Sequence, residues 1–198
     1  MIPFKRVREP KDFDEKARRP GARWLEKNPD SRRPKDYWSP FRPHLASGFH
    51  NLCAYLAMWI PEGTVDHYVS IVENVQQAYE WDNYQYASHF MNSSKGGRKK
   101  EDMRVLDPFE VEDGWFEIIL PSLQLVITNA LPEHLEEQAR YTLGKLHLQD
   151  DERVIRQRQE WYRMYQEGAL SLEGLRKKAP LVARAIEKQN KESGQENR

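Results

Sequence analysis

The stretch TVDHYVSIVENVQQAYEWDNYQYASHFMNSSKGG, residues 64–97, gathers the side chains of this chain best equipped for chemistry. Asp66 and His67 stand side by side, Asn83 lies in a Trp-Asp-Asn-Tyr cluster, and Asn92 opens an Asn-Ser-Ser-Lys-Gly turn that carries Lys95. A neutral imidazole can take up a proton near neutral pH. A carboxylate and a carboxamide offer the hard oxygens that Mg²⁺ prefers, and a lysine can steady charge developing on a phosphoryl group. Taken singly, each residue also has a plain explanation. Asn83 suits a helix N-cap, Asn92 to Gly96 suits a helix end stopped by glycine, and Lys95 suits a solvated charge. Their order and spacing give them meaning as a set.

The elements that must hold these residues can be outlined from patterning. Residues 1–43 are rich in Pro, Arg and Asp, with a helix expected around 11–28 and an extended connector through Pro34, Pro40 and Pro43. A helix is expected over 44–52, and the β-branched and aromatic runs CAYLAMWIP and TVDHYV read as short strands. Residues 70–82 read as a loop leading into a helix over 83–92, with Tyr84, Ala87, Ser88 and Met91 on one face. FEVEDGWFEIILPSLQLVIT reads as strands turning at Asp113-Gly114. From Pro132 the pattern is helical, with a stripe of Val154, Ile155, Trp161, Tyr162 and Tyr165, a break at Pro180, and a polar, disordered tail over 190–198.

A strand bearing Asp-His, followed by a loop and an amide-bearing helix, resembles the HNH, or ββα-metal, nuclease motif. VDH is similar to its opening acidic-His pair, WDN to its central Asn, and NSSKG to its closing N-x-x-KG segment. The nine-residue interval from Asn83 to Asn92 looks like that of the HNH domain of RNA-guided CRISPR nucleases. YEWDNY, NSSKG and VLDP, with the helical ARYTLGKLHLQDDERVIRQRQ, also resemble HNH proteins of Septu and retron anti-phage systems. The likeness spans about residues 50 to 160.

The resemblance implies an α+β fold: a ββα-metal core, a small β element and a helical C-terminal layer. Three segments are expected: a basic N-terminal arm (1–43), an HNH nuclease-like domain (44–167), and C-terminal helices with a polar tail (168–198). The implied activity is metal-dependent DNA endonuclease, with RNA as another substrate and a place in phage defence beside a partner ATPase or other defence protein. In this scheme His67 is the general base, Asp66 and Asn92 hold Mg²⁺ or Mn²⁺, and Asn83 holds the loop and orients His67. Lys95 meets the scissile phosphate, and with Arg98, Lys99 and Lys100 it contacts nucleic acid. The contrasting possibility is an inactive HNH fold that binds nucleic acid or protein. Many HNH proteins flank this motif with two C-x-x-C pairs that hold a structural zinc. Here the four positions read Cys53, Leu56, Ser88 and Met91, so no structural zinc is expected and apolar packing should replace it.

Composition sets the outer bounds. With 31% charged residues and a mean hydropathy of −0.90, the chain reads as soluble and cytoplasmic, with no membrane partner. Its single cysteine excludes an internal disulfide. The zero net charge hides an asymmetry. Residues 1–43 carry thirteen basic against seven acidic residues, whereas residues 44–91 carry five acidic residues and no Lys or Arg. Local negative charge around Asp66 suits a cation site.

Overall fold

The Pro-rich first segment is built into the core. In a computed structural model, which describes residues 1–31, 33–96 and 103–196, Phe13 is fully buried against the rings of Phe41, Trp81 and Tyr84 at centroid distances of 5.0, 5.1 and 5.7 Å. A π-helical stretch, Asp14–Arg18, runs into helix α1 (Arg19–Lys27), which has Pro20 in its first turn. Gly21 lies flat against Tyr79, where a Cβ would come within 2.4 Å of ring carbons, so any other residue would push the segment off. Helix α2 (Arg42–Gly48) follows the connector, again with a proline in its first turn.

Strand β1 (Thr64–His67) pairs antiparallel with β2 (Tyr84–Ala87), placing Asp66 opposite Gln85 and His67 opposite Tyr84. Helix α3 (His89–Lys95) follows after a single residue. Ser88 caps it by accepting the Met91 N–H at 3.2 Å, and Gly96, at φ +65°, ends it. A second antiparallel pair, β3 (Phe116–Ile119) and β4 (Gln124–Ile127), comes next, then helices α4 (Glu136–Lys145), α5 (Glu152–Gln166), α6 (Leu172–Lys178) and α7 (Pro180–Glu196). The protein is therefore mixed α+β with two small sheets. Among the described residues no helix is long and apolar enough to cross a membrane.

Four local expectations are corrected. The run CAYLAMWIP forms tight turns closed by a single Leu52–Trp59 bridge, with Ala57 at φ 53°. It is apolar because residues 52–58 are enclosed on every side, and its amides turn to Met58 O and Tyr86 O instead of a ladder. The expected helix over 83–92 gives way to β2, since pairing with β1 outweighs local helical periodicity and Tyr84 and Tyr86 are good strand formers. Gly114 turns the chain before β3 at φ +86°, but the hairpin itself turns at 120–123, with Leu123 at φ 56°. The polar tail continues α7 to Glu196.

The C-terminal stripe does pack on the core, and it carries a residue the pattern disguised. Arg158, 1% exposed, donates to Leu123 O and Leu148 O, both at 2.8 Å, tying α5 to the β3–β4 turn. Burial without a carboxylate lowers its pKa to about 10.

Candidate functional site

The two strands and α3 bring the motif residues to one cleft of about 500 Å³, lined by Asp66, His67, Asn92 and Lys95. Asn92 and Lys95 share a face of α3 because they are three residues apart. The connector closes the other side with Pro34, Asp36 and Trp38. Asp36 fixes that wall by accepting the amides of Trp38 and Ser39 at 3.1 and 2.8 Å.

Asp66 is 1% exposed. Its Oδ2 accepts the Tyr55 hydroxyl at 2.7 Å, and both carboxylate oxygens accept from Lys95 Nζ, at 2.6 and 2.7 Å. The third ammonium proton goes to the His67 carbonyl at 2.5 Å. All three donors of Lys95 are thus spent on the Asp66-His67 segment. A buried carboxylate without such a partner would carry a large desolvation penalty. Beside it, burial raises the Tyr55 hydroxyl pKa well above the ordinary tyrosine value, with the charge of Asp66 adding to the effect, so Tyr55 stays a hydrogen-bond donor.

His67 is the last residue of β1, and its ring packs between aromatic side chains. Trp38 and Tyr84 meet it edge-on at 4.7 and 5.0 Å. Nε2 lies 2.9 Å from the Ala78 carbonyl. A carbonyl only accepts, so Nε2 carries the proton and Nδ1 holds the free lone pair. Burial lowers the His67 pKa; the Ala78 hydrogen bond and the charge of Asp66 pull the other way without cancelling it. The neutral, proton-accepting form is therefore favoured at neutral pH.

Asn83 acts on this arrangement through the backbone. Its Oδ1 accepts the Val69 N–H at 2.7 Å, while Nδ2 donates to Val69 O at 3.0 Å and Gln77 O at 3.1 Å. It thereby clamps both ends of the 68–77 loop, two residues past His67 and one residue before the carbonyl that orients its ring. Asp107, in the VLDP segment, accepts from Gln85 Nε2 at 2.8 Å and from the Phe109 amide at 3.0 Å, supporting β2 from behind.

Asn92 is half-buried in the cleft, and its carboxamide makes no hydrogen bond among the described residues. Lys95, expected at a scissile phosphate, is turned inward onto Asp66. Arg98, Lys99 and Lys100 lie outside the described residues. Trp38, Tyr55 and the Ala78 carbonyl were not legible as site components, because no local pattern marks residues that meet His67 or Asp66 only through the fold.

Asp66 and Asn92 carry the oxygen types a hard divalent cation takes, but both Asp66 oxygens accept from the Lys95 ammonium and Oδ2 also accepts from Tyr55. Asp66 and Asn92 would supply two oxygens, and Mg²⁺ commonly keeps its other positions for water and phosphate. No cluster of three or more His, Cys, Asp or Glu able to hold a metal occurs among the described residues. The four positions that the sequence resemblance aligns with zinc ligands are Cys53, Leu56, Ser88 and Met91. Cys53, Leu56 and Met91 are buried, and the Ser88 amide lies 3.4 Å from Cys53 Sγ. Burial raises the Cys53 thiol pKa, so it is held as a neutral thiol. No protein-family model matches the chain, and no curated protein matches its sequence.

Proposed function

We propose that the protein is a metal-dependent endonuclease of the HNH type, with β1, β2 and α3 as its ββα-metal core and DNA as its substrate. The observation that carries this reading is the cleft itself: a buried acidic-His pair on a strand end faces an amide and a lysine on the following helix. His67 Nδ1 is the base that takes a proton from the attacking water. Trp38 and Tyr84 fix its plane, and Asn83, through Gln77 and Ala78, fixes its tautomer. Asp66 and Asn92 would hold Mg²⁺ or Mn²⁺, which when bound supplies charge stabilisation at the phosphate and leaving oxygen. Lys95 occupies the carboxylate face that this ligand role requires. Its ammonium must yield Asp66, and its charge is then available to the phosphate. By the same resemblance, the biological setting is phage defence beside a partner ATPase or another defence protein.

The Lys95–Asp66 contact also favours a second reading, an inactive HNH fold in which the ammonium permanently replaces the metal and the protein only binds nucleic acid or a partner. A plasmid-nicking assay with Mg²⁺ and Mn²⁺, comparing wild type with His67→Ala, separates the two. Divalent-dependent nicking that disappears in His67→Ala supports the enzyme. Wild-type protein that never nicks with either ion leaves the binding module.

A further inference from the structure

We propose that the groove between the end of α2, the 50–59 loop and the last turn of α6 is a separate binding site for nucleic acid, holding the phosphate backbone of a single strand. This inference goes beyond cleavage and does not depend on it.

The groove encloses about 910 Å³, more than the cleft at His67. One wall is basic: Arg176, Lys177 and Lys178 come in succession at the C-terminus of α6. The opposite wall carries His50 and Asn51, both exposed, with Trp59 half-buried between the walls. Among the described residues no carboxylate lines it. That absence is informative, because His50, Asn51 and Trp59 belong to the 44–91 segment, which has five acidic residues and no Lys or Arg. All five face elsewhere.

Helix electrostatics accounts for part of the basic wall, since cations are favoured in a last helical turn. It does not account for the acid-free wall opposite, which comes from a different part of the chain. Nor are the cations strongly committed. Arg176 and Lys177 pair with Glu187 and Glu173 at exposed positions outside the groove lining, and such surface pairs are worth only about 0–1 kcal/mol. Lys178 has no carboxylate partner among the described residues; its ammonium lies 3.7 Å from the Trp59 ring centroid. The Trp59 amide donates to Lys178 O at 2.7 Å, which ties the 50–59 loop to the end of α6.

The wall opposite the cations has an uncommon backbone conformation. His50 and Asn51 are consecutive non-glycine residues at φ 53° and 56°, a conformation that costs about 1–3 kcal/mol per residue. It is held by the bonds His50 N to Ser47 O, Asn51 N to Ala46 O and Ile60 N to Asn51 O. The product is an imidazole and a carboxamide at a groove whose other wall is cationic. Cations for phosphates, an aromatic ring for a base face and small polar groups for base edges form the combination that recognises single-stranded nucleic acid. An acidic peptide would use the cations and leave the ring and amide without a task.

The test is fluorescence anisotropy with a labelled mixed-sequence single strand in EDTA, so that no cleavage intervenes. Lys177→Gln/Lys178→Gln should weaken binding at least ten-fold at low salt. It should also lower the slope of log affinity against log salt by about 1.4, as two lost phosphate contacts on a single strand require. Trp59→Phe should remove the part of the tryptophan quenching that the oligonucleotide causes, and a duplex should bind more weakly than the single strand. Thermal melts of both variants show whether the fold survives; if either is impaired, Arg176→Gln with Lys177→Gln, both at exposed positions, provides the same salt-slope readout. Unchanged affinity and slope in a folded groove variant overturn the proposal. So does a polyglutamate peptide that displaces the oligonucleotide at equal charge concentration.

Discussion

The two hairpins of this protein have four residues per strand and the same antiparallel pairing, yet they are used in opposite ways. In β1–β2 all residues but Thr64 are buried, and three of the buried ones, Asp66, His67 and Gln85, are polar. Each of the three has a partner supplied from elsewhere in the chain: Lys95 and Tyr55, Ala78, and Asp107. Their strands are joined by a long loop, residues 68–83, which Asn83 ties down. In β3–β4 the strands are joined by a tight turn and alternate between the core and a half-exposed face. Leu125 is buried at 1% exposure, and Ile119 is left 45% exposed. A strand pair spends buried positions on polar groups only where something needs them held, because each such group requires a matched partner. The first hairpin buries polar groups and the second buries apolar ones.

The largest expected effect breaks the first hairpin without unfolding it. His67→Ala should reduce divalent-dependent nicking per folded molecule by roughly 10²–10⁴-fold, the usual contribution of a general base, with the melting temperature lowered by loss of the buried ring but the fold retained. Next, Lys95→Met removes one partner of the buried pair and leaves Asp66 uncompensated, which should lower stability by about 3–5 kcal/mol in EDTA. Because the vacated carboxylate can then be met by a divalent ion, Mg²⁺ or Mn²⁺ should raise the melting temperature of Lys95→Met more than that of wild type. An equal response in the two proteins would show that Lys95 and metal do not compete for Asp66.

Leu125→Ala in the second hairpin should cost about 2–5 kcal/mol by leaving a cavity, while its nicking rate per folded molecule and its response to divalent ions match wild type. Urea melts and the plasmid assay read the two quantities separately. A site defect in this variant would mean that the hairpins are coupled.

A smaller effect is a pH dependence confined to the first hairpin. The folded pKa of His67 is lowered from the ordinary 6.5 by burial. Between that depressed value and the unfolded one, the unfolded chain binds more protons, so stability rises with pH. The contribution is fully present above the unfolded pKa and is lost as pH falls through the folded one. His67→Gln should flatten this part of the stability–pH curve on the acid side of pH 6.5, and a wild-type curve rising toward acid there would refute the assignment. The smallest effect belongs to the exposed edge of the second hairpin: Ile119→Lys should change stability by no more than about 0.5 kcal/mol.

Some of this organisation is local and therefore legible in sequence. Strand β1, the C-terminal end of α1, the burial of Cys53 and the end of α3 at Gly96 follow from residue type and near-neighbour spacing. So does the grouping of Asn92 with Lys95, which a helix places on one face at three-residue spacing. Strand β2 was hidden because its four residues satisfy a helical period as readily as a strand, and only the partner β1, seventeen residues away at the His67–Tyr84 pair beside the loop and farther at the others, makes the extended form the better one. Lys95 was hidden differently. Its residue type admits a solvated charge or a phosphate contact, but the pairing that captures it lies 29 residues back at Asp66, in a site whose burial leaves an ammonium no better acceptors. Trp38 and the Ala78 carbonyl reach His67 the same way, from a connector and a loop with no chemistry of their own. Sequence determined which groups could act; the tertiary structure decided which of them meet, because an unpaired buried charge or polar group is costly and burial is favoured where the chain brings it a partner.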